Sequence, residues 1–171
     1  VVHVWNLVAR EAVELRGHER DVVATGFAAA DDLIVTASHD GTMRVWSATG
    51  GAESTVYRGF GSPLSCGIFA ADGYQAWFGT SDGFVVGRDT LRNRTTHLWQ
   101  IDEGIVDLAP GVGGNLFALL ADGRLVRLRR DDLDAPAVPL VGRDIGVLCL
   151  CAVDTGVVCG RSTGQVELRD D

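Results

Sequence analysis

A repeat of about 41 residues constrains the fold of this 171-residue chain more than any other feature of its sequence. In each copy a two-residue turn signal, Asp-Gly three times and Thr-Gly once, follows an apolar run and precedes an alternating one. The glycines of these signals, spaced 42, 40 and 41 residues apart, are Gly41, Gly83, Gly123 and Gly164. A period of about 20 to 50 residues is typical of repeat architectures, in which each copy is one supersecondary unit. The sequence predicts a single domain, 1–171, with units at approximately 7–47, 48–89, 90–129 and 130–170.

Each unit reads as β-strands, with no helical period. The first complete unit contains four runs rich in apolar and β-branched residues, at 22–27, 33–38, 43–47 and 53–57. Short runs separated by Gly, Asp, Ser and Pro at intervals of about 8 to 12 residues are typical of all-β proteins. The Asp-Gly pair favours a tight turn between the second and third runs, because Gly tolerates a positive φ and Asp bonds its own backbone. We therefore predict an all-β fold in which each unit is a four-stranded antiparallel sheet.

Charge and composition argue against several classes of function. Fifteen basic and 23 acidic residues give a net charge of −8, which repels phosphate backbones and anionic lipid headgroups. All fifteen basic residues are arginine, so no lysine is present for a Schiff base or a P-loop. The longest uncharged stretch, 108–121, has 14 residues broken by proline and glycine, too few to span a bilayer. We expect no membrane partner, and nucleic acid only indirectly through a complex.

The four cysteines lie inside apolar runs rather than in a disulfide framework: Cys66, Cys149, Cys151 and Cys159. This usage favours a reducing, intracellular compartment, and we predict a cytoplasmic protein. Cys149 and Cys151 share one face of a predicted strand, with Cys159 on the next, so a soft metal ion is one interpretation. We favour the interpretation that these cysteines are small apolar residues that fill space in the core, because only three thiols and no suitably spaced histidine are available to bind a metal. We predict no metal and no cofactor.

The sequence resembles the WD-repeat β-propeller family in three segments. They are VVHVWN at 1–6, LRGH at 15–18 and SHDGTMRVW at 38–46. That family's unit runs about 40 to 45 residues, ends on a Trp-Asp pair and carries a Gly-His pair upstream of its turn Asp. No copy here keeps a literal Trp-Asp pair, and the later units have diverged at the Trp position, to Arg88, Leu128 and Arg169. The resemblance implies a β-propeller of WD-repeat type, with about four blades of four antiparallel strands in this chain.

The resemblance also implies a hydrogen-bonded network in the first unit. In the family it joins a His before the first strand, a Ser or Thr in the second, the turn Asp and the Trp of the third. The corresponding residues are His18, Ser38, Asp40 and Trp46. A histidine between a carboxylate and a hydroxyl is also the arrangement of a hydrolase triad. We favour the structural role, because these residues follow the register of the repeat, and we predict no catalytic residue and no enzyme.

The strand count predicts an incomplete ring. Segments 1–7 and 12–16 correspond to the third and fourth strands of a blade without its inner half, and 165–171 is another third strand. Propellers remove open edges by closing a ring of typically about 4 to 8 blades. Three completions are open: a longer seven- or eight-bladed chain, an eight-bladed ring of two copies, or four blades that close with one strand redundant. The first is favoured, since the chain begins with Val1 rather than Met.

Propellers of this kind act mostly as platforms whose loops hold other proteins. The resemblance therefore implies a non-catalytic scaffold that mediates protein–protein interactions as a subunit of a multiprotein assembly. We expect other subunits to bind the face with the loops before each first strand and the turns between second and third strands. By position, the predicted binding residues are Glu19, Arg20, His39, Ser62, Ser81, Asp102, Glu103, Arg143 and Ser162. The alternative is a sensor or regulatory propeller attached to an ATPase or kinase domain outside this sequence.

Overall fold

The chain folds into antiparallel β-sheets that follow one another along the sequence. The computed structural model describes residues 1–28, 33–70, 74–90, 92, 94–132, 134–141, 146–153 and 156–170. These residues form seventeen strands and no helix, in one two-stranded, three four-stranded and one three-stranded sheet. Within the described ranges no helix is long and apolar enough to cross a membrane.

The strands pair in chain order within every sheet. The N-terminal hairpin consists of β1 (Val2–Asn6) and β2 (Glu11–Leu15). Sheet I consists of β3 (Val22–Ala28), β4 (Leu33–Ser38), β5 (Met43–Ser47) and β6 (Glu53–Tyr57). Sheet II consists of β7 (Leu64–Phe69), β8 (Gln75–Thr80), β9 (Phe84–Asp89) and β10 (Arg94–Gln100). Sheet III consists of β11 (Ile105–Pro110), β12 (Asn115–Leu120), β13 (Leu125–Arg129) and β14 (Val138–Val141), and sheet IV of β15 (Val147–Val153), β16 (Gly156–Arg161) and β17 (Val166–Asp170).

The strand bounds agree closely with the apolar runs of the sequence. The four strands of sheet I begin and end within one residue of the four predicted runs. The second strands β4, β8 and β12 are buried along almost their whole length. A strand with both faces covered needs apolar residues at consecutive positions, which is why these segments read as continuous apolar runs.

The core lies between consecutive sheets, because each first strand packs against the next one. β3 packs against β7, β7 against β11 and β11 against β15. The buried cluster between sheets I and II includes Val35 and Phe78, and the one between sheets II and III includes Trp77 and Leu116. Among the described residues β15 does not pack against β3 in this way. The result is a β-propeller-like arrangement of repeated sheets that does not close on itself.

The turns between second and third strands repeat their geometry in all four sheets. The third residue of each turn donates its N–H to the carbonyl of the last residue of the second strand, at 2.9 to 3.2 Å. It is a glycine with a φ between +75° and +92° in every copy: Gly41, Gly83, Gly123 and Gly164. Only glycine adopts this left-handed conformation at no steric cost. The glycine spacing found in the sequence is therefore the spacing of these turns.

The first strand of each of sheets I to IV carries an irregularity that the sequence did not predict. The pairing register shifts two residues into the strand, at Val22/Ala24, Leu64/Cys66, Ile105/Asp107 and Val147/Cys149. An extra residue in one strand of an antiparallel pair bends that strand and increases its twist. These bulges lie at the strand ends nearest the loops that precede the first strands.

Candidate functional site

One side of the molecule carries the loops before the first strands together with the turns between second and third strands. In each sheet a backbone N–H of the turn donates to a carbonyl of that loop. The four bonds, 2.8 to 3.3 Å long, run from His39 to Asp21, Ser81 to Pro63, Ala121 to Gly104 and Ser162 to Gly146. We call this side the loop face. Because the bond recurs in all four sheets, the repeat presents the same two segments on the same side each time.

Two adjoining cavities open on the loop face between sheets I and II. The larger, of about 580 Å³, lies between the turn 39–41 and the segment 59–63 that leads into sheet II. The smaller, of about 380 Å³, extends to Ser81 in the turn of sheet II. Arg20, His39 and Pro63 line both cavities, so we treat the two as one feature, the loop groove. Its size falls in the range of ligand pockets.

The structure brings together five of the nine predicted binding residues. Those lining the loop groove are Glu19, Arg20, His39, Ser62 and Ser81. Asp102, Glu103 and Ser162 lie on the loop face at sheets III and IV, apart from this groove. Arg143 lies outside the described residues.

The loop groove carries charges of both signs. Glu19 and Asp21 are exposed beside Arg20. Asp82 follows the groove residue Ser81 in the turn of sheet II, and the Thr80 hydroxyl donates to its carboxylate at 2.6 Å. That hydrogen bond, with a smaller contribution from Ser62, holds the pKa of Asp82 below its usual range. The groove thus presents carboxylates, a guanidinium and an imidazole, with the Asp82 carboxylate beside it, a set suited to a polar partner.

A buried hydrogen-bond network fixes the sheet I side of the groove. His18 bonds Asp40 Oδ2 through Nδ1 at 2.8 Å and Thr36 Oγ1 through Nε2 at 2.7 Å. Trp46 donates its indole N–H to the same Thr36 oxygen at 2.9 Å. The order Trp46 to Thr36 to His18 to Asp40 gives every donor an acceptor when His18 carries its proton on Nδ1.

One member of the predicted network differs from the expectation. Thr36, not Ser38, joins His18 to Trp46. The Ser38 hydroxyl donates to the Arg20 carbonyl at 3.2 Å and accepts the Asp40 N–H at 3.1 Å. Ser38 therefore ties the loop to the turn.

The same geometry bears on the triad interpretation of these residues. Thr36 is fully buried, and the side chains of His18 and Asp40 are only 3% and 6% exposed. The Thr36 oxygen already serves both His18 and Trp46. A hydroxyl so placed is not accessible to a substrate, whereas a nucleophile must reach the reacting atom. The arrangement favours a role in holding the loop against the turn.

The Asp40 carboxylate is the centre of that contact. Burial acts to raise its pKa, but hydrogen bonds from the Thr42 hydroxyl, from His18 and from the N–H groups of Glu19 and Thr42 outweigh burial. The pKa of Asp40 is therefore held far below its usual range. The Glu19 N–H donates to Oδ2 at 3.0 Å and the Thr42 N–H to Oδ1 at 2.9 Å, so one carboxylate fixes both segments.

Asp40→Asn is expected to lower the free energy of unfolding at pH 7 by about 1 to 3 kcal/mol, because an amide cannot accept all four bonds. A carboxylate with a depressed folded pKa stabilises the protein above its unfolded pKa, and this contribution is lost as pH falls below about 4. The gap between wild type and variant should therefore narrow toward pH 3. Urea unfolding of wild type and variant at pH 7 and at pH 3 measures this difference in stability. Asp132→Asn, at an exposed position, serves as the control, and a gap that stays constant or widens on acidification contradicts the prediction.

Sheet II replaces the polar network with an aromatic one at the same repeat positions. Phe60 occupies the His18 position and Phe78 the Thr36 position, with ring centroids 5.6 Å apart and edge-to-face. Arg88, at the Trp46 position, places its guanidinium 5.0 Å from the Phe60 ring. The side chains at these three positions thus hold the loop before sheet II through apolar and cation–π contacts, beside the backbone bond from Ser81 to Pro63.

Sheet III holds its loop with a salt-bridged arginine. Arg124 donates to Asp122 in the turn and to Asp102 in the preceding loop, each at 2.7 Å. These bonds lower the pKa of Asp102 and raise that of Arg124. The predicted binding residue Asp102 is therefore engaged within the chain. Arg124, which the sequence did not assign to this role, is what engages it.

The cysteines fall into two classes. Cys66 and Cys159 are buried, and burial together with the nearby Asp107 raises the pKa of the Cys66 thiol to about 12. Cys149 and Cys151 are exposed, which differs from the expected role as core fillers, because none of the residues that the structure describes covers that side of sheet IV. Cys159 pairs with Leu150 and so lies on the opposite face of the sheet from the other two thiols. Among the described residues, no group of three or more His, Cys, Asp or Glu could hold a metal ion.

Some loop residues that line the loop groove were not predicted as binding residues. Those in the loops before the first strands of sheets I and II are Asp21, Gly59, Phe60, Gly61 and Pro63. The repeat indicated their position, since each lies within three residues of a predicted binding residue. Their side chains gave no chemical signal that separates a groove residue from a solvated loop.

Comparison with solved structures supports the fold. The chain is similar to the computationally designed Ika4 protein, with a TM-score of 0.71, 22% identity, and coverage of 92% of this chain and 95% of Ika4. It is similar to U3-55K, with a TM-score of 0.79, 19% identity, and coverage of 92% of this chain and 51% of that protein. It is also similar to the computationally designed Ika8 protein, with a TM-score of 0.78, 21% identity, and coverage of 98% of this chain and 51% of Ika8. The chain thus spans about half the length of U3-55K and of Ika8.

These likenesses concern the fold alone, because identity is low throughout. No protein-family model and no curated protein matches the sequence.

Proposed function

We propose that this chain is a non-catalytic scaffold of WD-repeat type that binds other proteins through its loop face, as a subunit of a multiprotein assembly. One observation carries the proposal. Five residues assigned to partner binding from their repeat positions converge on the loop groove between sheets I and II. Binding residues concentrate on loops held by a rigid scaffold, and these loops are fixed by buried contacts beneath them.

The chemistry of the groove fits a peptide segment of a partner. It is open, polar and charged with both signs, and it runs across two sheets from Glu19 to Ser81. Arginine is enriched at energetically dominant positions of protein interfaces, and Arg20 is exposed where the two cavities meet. Carboxylates and a guanidinium at fixed positions would select the register of an extended segment through charge complementarity.

The WD-repeat assignment rests on sheet I. The linkage of His18, Asp40 and Trp46 through a buried hydroxyl is what the resemblance implies, with Thr36 in the place expected of Ser38. A larger ring of seven or eight blades is supported by the open arrangement of the sheets and by the half coverage of U3-55K and Ika8. The free thiols favour a reducing, cytoplasmic location.

Selection from a random twelve-residue peptide library against the immobilised chain tests the proposal. Selected peptides should bind more than tenfold less tightly to Arg20→Glu and to Ser62→Trp, which reverses a charge in the groove and fills it. Arg92→Glu is the matched control, since it reverses an exposed arginine whose partner is Asp89, away from the loop face. Binding unchanged by both groove variants, or no selective binding at all, would contradict a role for this face.

A further inference from the structure

A further cavity adjoins the loop groove along the segment 59–61. It has a volume of about 280 Å³ and lies between this segment and the outer strands of sheet II, β9 and β10. Gly59, Phe60 and Gly61 line both the loop groove and this cavity, so the short segment is a common wall of the two. We call the cavity the side pocket, and its other lining residues are Asp82, Phe84, Val86, Arg88, Thr95 and Leu98.

The walls of the side pocket are mostly apolar. Phe84 and Val86 alternate along β9 and so share one face of the sheet, and Val86 pairs with Leu98 on β10. Phe60 and Val86 belong to the buried cluster between sheets I and II, against which Phe84 packs. Leu98, in contrast, is 61% exposed. The side pocket is therefore an apolar recess that extends from the core to the surface.

Sheet I has a long side chain at the corresponding place. Counted from the turn glycine of each sheet, Val86 and Arg88 of the side pocket occupy the repeat positions of Arg44 and Trp46. Arg44 is buried, with its guanidinium 6.0 Å from the centre of the Trp46 ring. A valine side chain is much shorter than an arginine side chain, so Val86 leaves this space open. The repeat thus shows that the place accepts a large side chain, which sheet II does not supply itself.

The charges and the size of the side pocket favour an uncharged occupant. Asp82 and Arg88 line it with opposite charges, so it offers no net charge to a charged side chain. Both are already engaged: the Asp82 carboxylate accepts the Thr80 hydroxyl, and the Arg88 guanidinium lies over the Phe60 ring and donates to Thr95. A charge moved into such a recess loses hydration without gaining a partner. The volume is below the roughly 300 to 1,000 Å³ of pockets that hold a whole small molecule, which suits a single side chain.

We propose that the side pocket holds one large apolar side chain, a leucine, isoleucine, methionine or phenylalanine, of the partner segment that lies in the loop groove. This anchor site rests on the proposed function, because it needs a segment bound in the groove. No described atom lies within 4 Å of the points that β-carbons would occupy at Gly59 and Gly61. A bound segment can therefore approach the backbone of this wall closely and turn one side chain into the pocket. Side chains buried in such pockets carry a large share of the binding energy of an interface.

The experiment uses the twelve-residue peptides selected against the immobilised chain that bind more than tenfold less tightly to Arg20→Glu. These peptides should share one apolar residue, and its replacement by alanine should weaken binding at least tenfold. Val86→Met, which fills the pocket from within, and Leu98→Glu, which places a charge at its exposed side, should each weaken the parent peptide to a similar degree. Leu148→Glu is the matched control, since Leu148 is 59% exposed on sheet IV and lines neither the loop groove nor the side pocket.

A double-mutant cycle separates loss of the anchor contact from a general disturbance of the fold. The alanine-substituted peptide should bind wild type and Val86→Met with equal affinity, because the side chain that fills the pocket is already absent from it. Leu98→Glu changes an exposed position, so its effect does not depend on how Val86→Met repacks the core. Far-UV circular dichroism of the three variants confirms that each is folded.

Two results would overturn the anchor site and leave the proposed function standing. One is a set of groove-dependent peptides with no shared apolar residue. The other is a set whose binding is the same for wild type and both pocket variants, or is weakened equally by Leu148→Glu. A selection that yields no groove-dependent peptide overturns the proposed function and the anchor site together, so the two failures are distinguishable.

Discussion

Replacing Leu116 with alanine is expected to lower the free energy of unfolding by about 2 to 5 kcal/mol, among the largest effects of any single substitution in this chain. Leu116 is fully buried in β12, in the cluster that joins sheets II and III and that also contains Trp77 and Val85. Truncation removes apolar contacts and leaves a cavity that two packed sheets cannot fill by local collapse. Chemical denaturation of wild type and variant measures the loss.

Leu98→Ala is the matched control, because it makes the same chemical change at a leucine that is 61% exposed on β10. It should alter the free energy of unfolding by less than about 0.5 kcal/mol. Equal losses at the two positions would mean that sheets II and III are not packed through Leu116.

Gly83→Ala is expected to cost about 3 kcal/mol or more, for two separate reasons. Gly83 has a φ of +92°, and the left-handed conformation costs an L-residue about 1 to 2 kcal/mol. A β-carbon there would also overlap the carbonyl oxygen of Ile101 and lie 2.9 Å from that of Glu103. Ile101 donates its N–H to Gly83 at 2.8 Å, so the two segments cannot separate without losing that bond.

Gly164→Ala separates the two causes. Gly164 occupies the same turn position in sheet IV with a φ of +82°, but no atom lies within 4 Å of the point that a β-carbon would occupy. Only the conformational cost, about 1 to 2 kcal/mol, should appear. Thermal or urea unfolding measures the loss of stability in each variant. A loss in Gly164→Ala as large as that in Gly83→Ala would rule out the steric explanation.

Much of the fold was predictable because the repeat fixes where strands begin and end. The turn glycines at Gly41 and Gly83 and the buried runs of β4 and β8 follow directly from residue type and spacing. The bulges at the starts of the first strands were not predictable, since the residues there, such as Ala24 and Cys66, have no special backbone preference.

The hydroxyl of the hydrogen-bond network could not be identified from residue type alone. Trp46 lies opposite Ile34, so Thr36, two residues further on the same face, is about 7 Å along the strand. Ser38 is four residues away, about 13 Å along the strand and out of reach of the indole. Both residues satisfy the family pattern, and only the register distinguishes them. The register of β4 and β5 is set by the turn between them, which the pattern does not specify.

The loops of sheets II and III make the same point. Phe60 and Arg88 look like erosion of a motif, yet with Phe78 they pack into a substitute contact at the same positions. Arg124 likewise replaces a histidine-centred contact with ion pairs to Asp102 and Asp122. What the repeat retains is the need to hold each loop against its turn, and several chemistries meet that need.

The claim on which the rest depends is that each sequence repeat is one antiparallel sheet in the same register. Cross-strand nuclear Overhauser effects in the labelled protein test it most directly. We predict contacts between Ile34 and Trp46, Phe78 and Val86, and Leu116 and Leu128, which are paired within three successive sheets. Nuclear Overhauser effects between residues three or four positions apart in these segments would indicate helix and contradict the claim. Strand pairing in a different register from one repeat to the next would also contradict it.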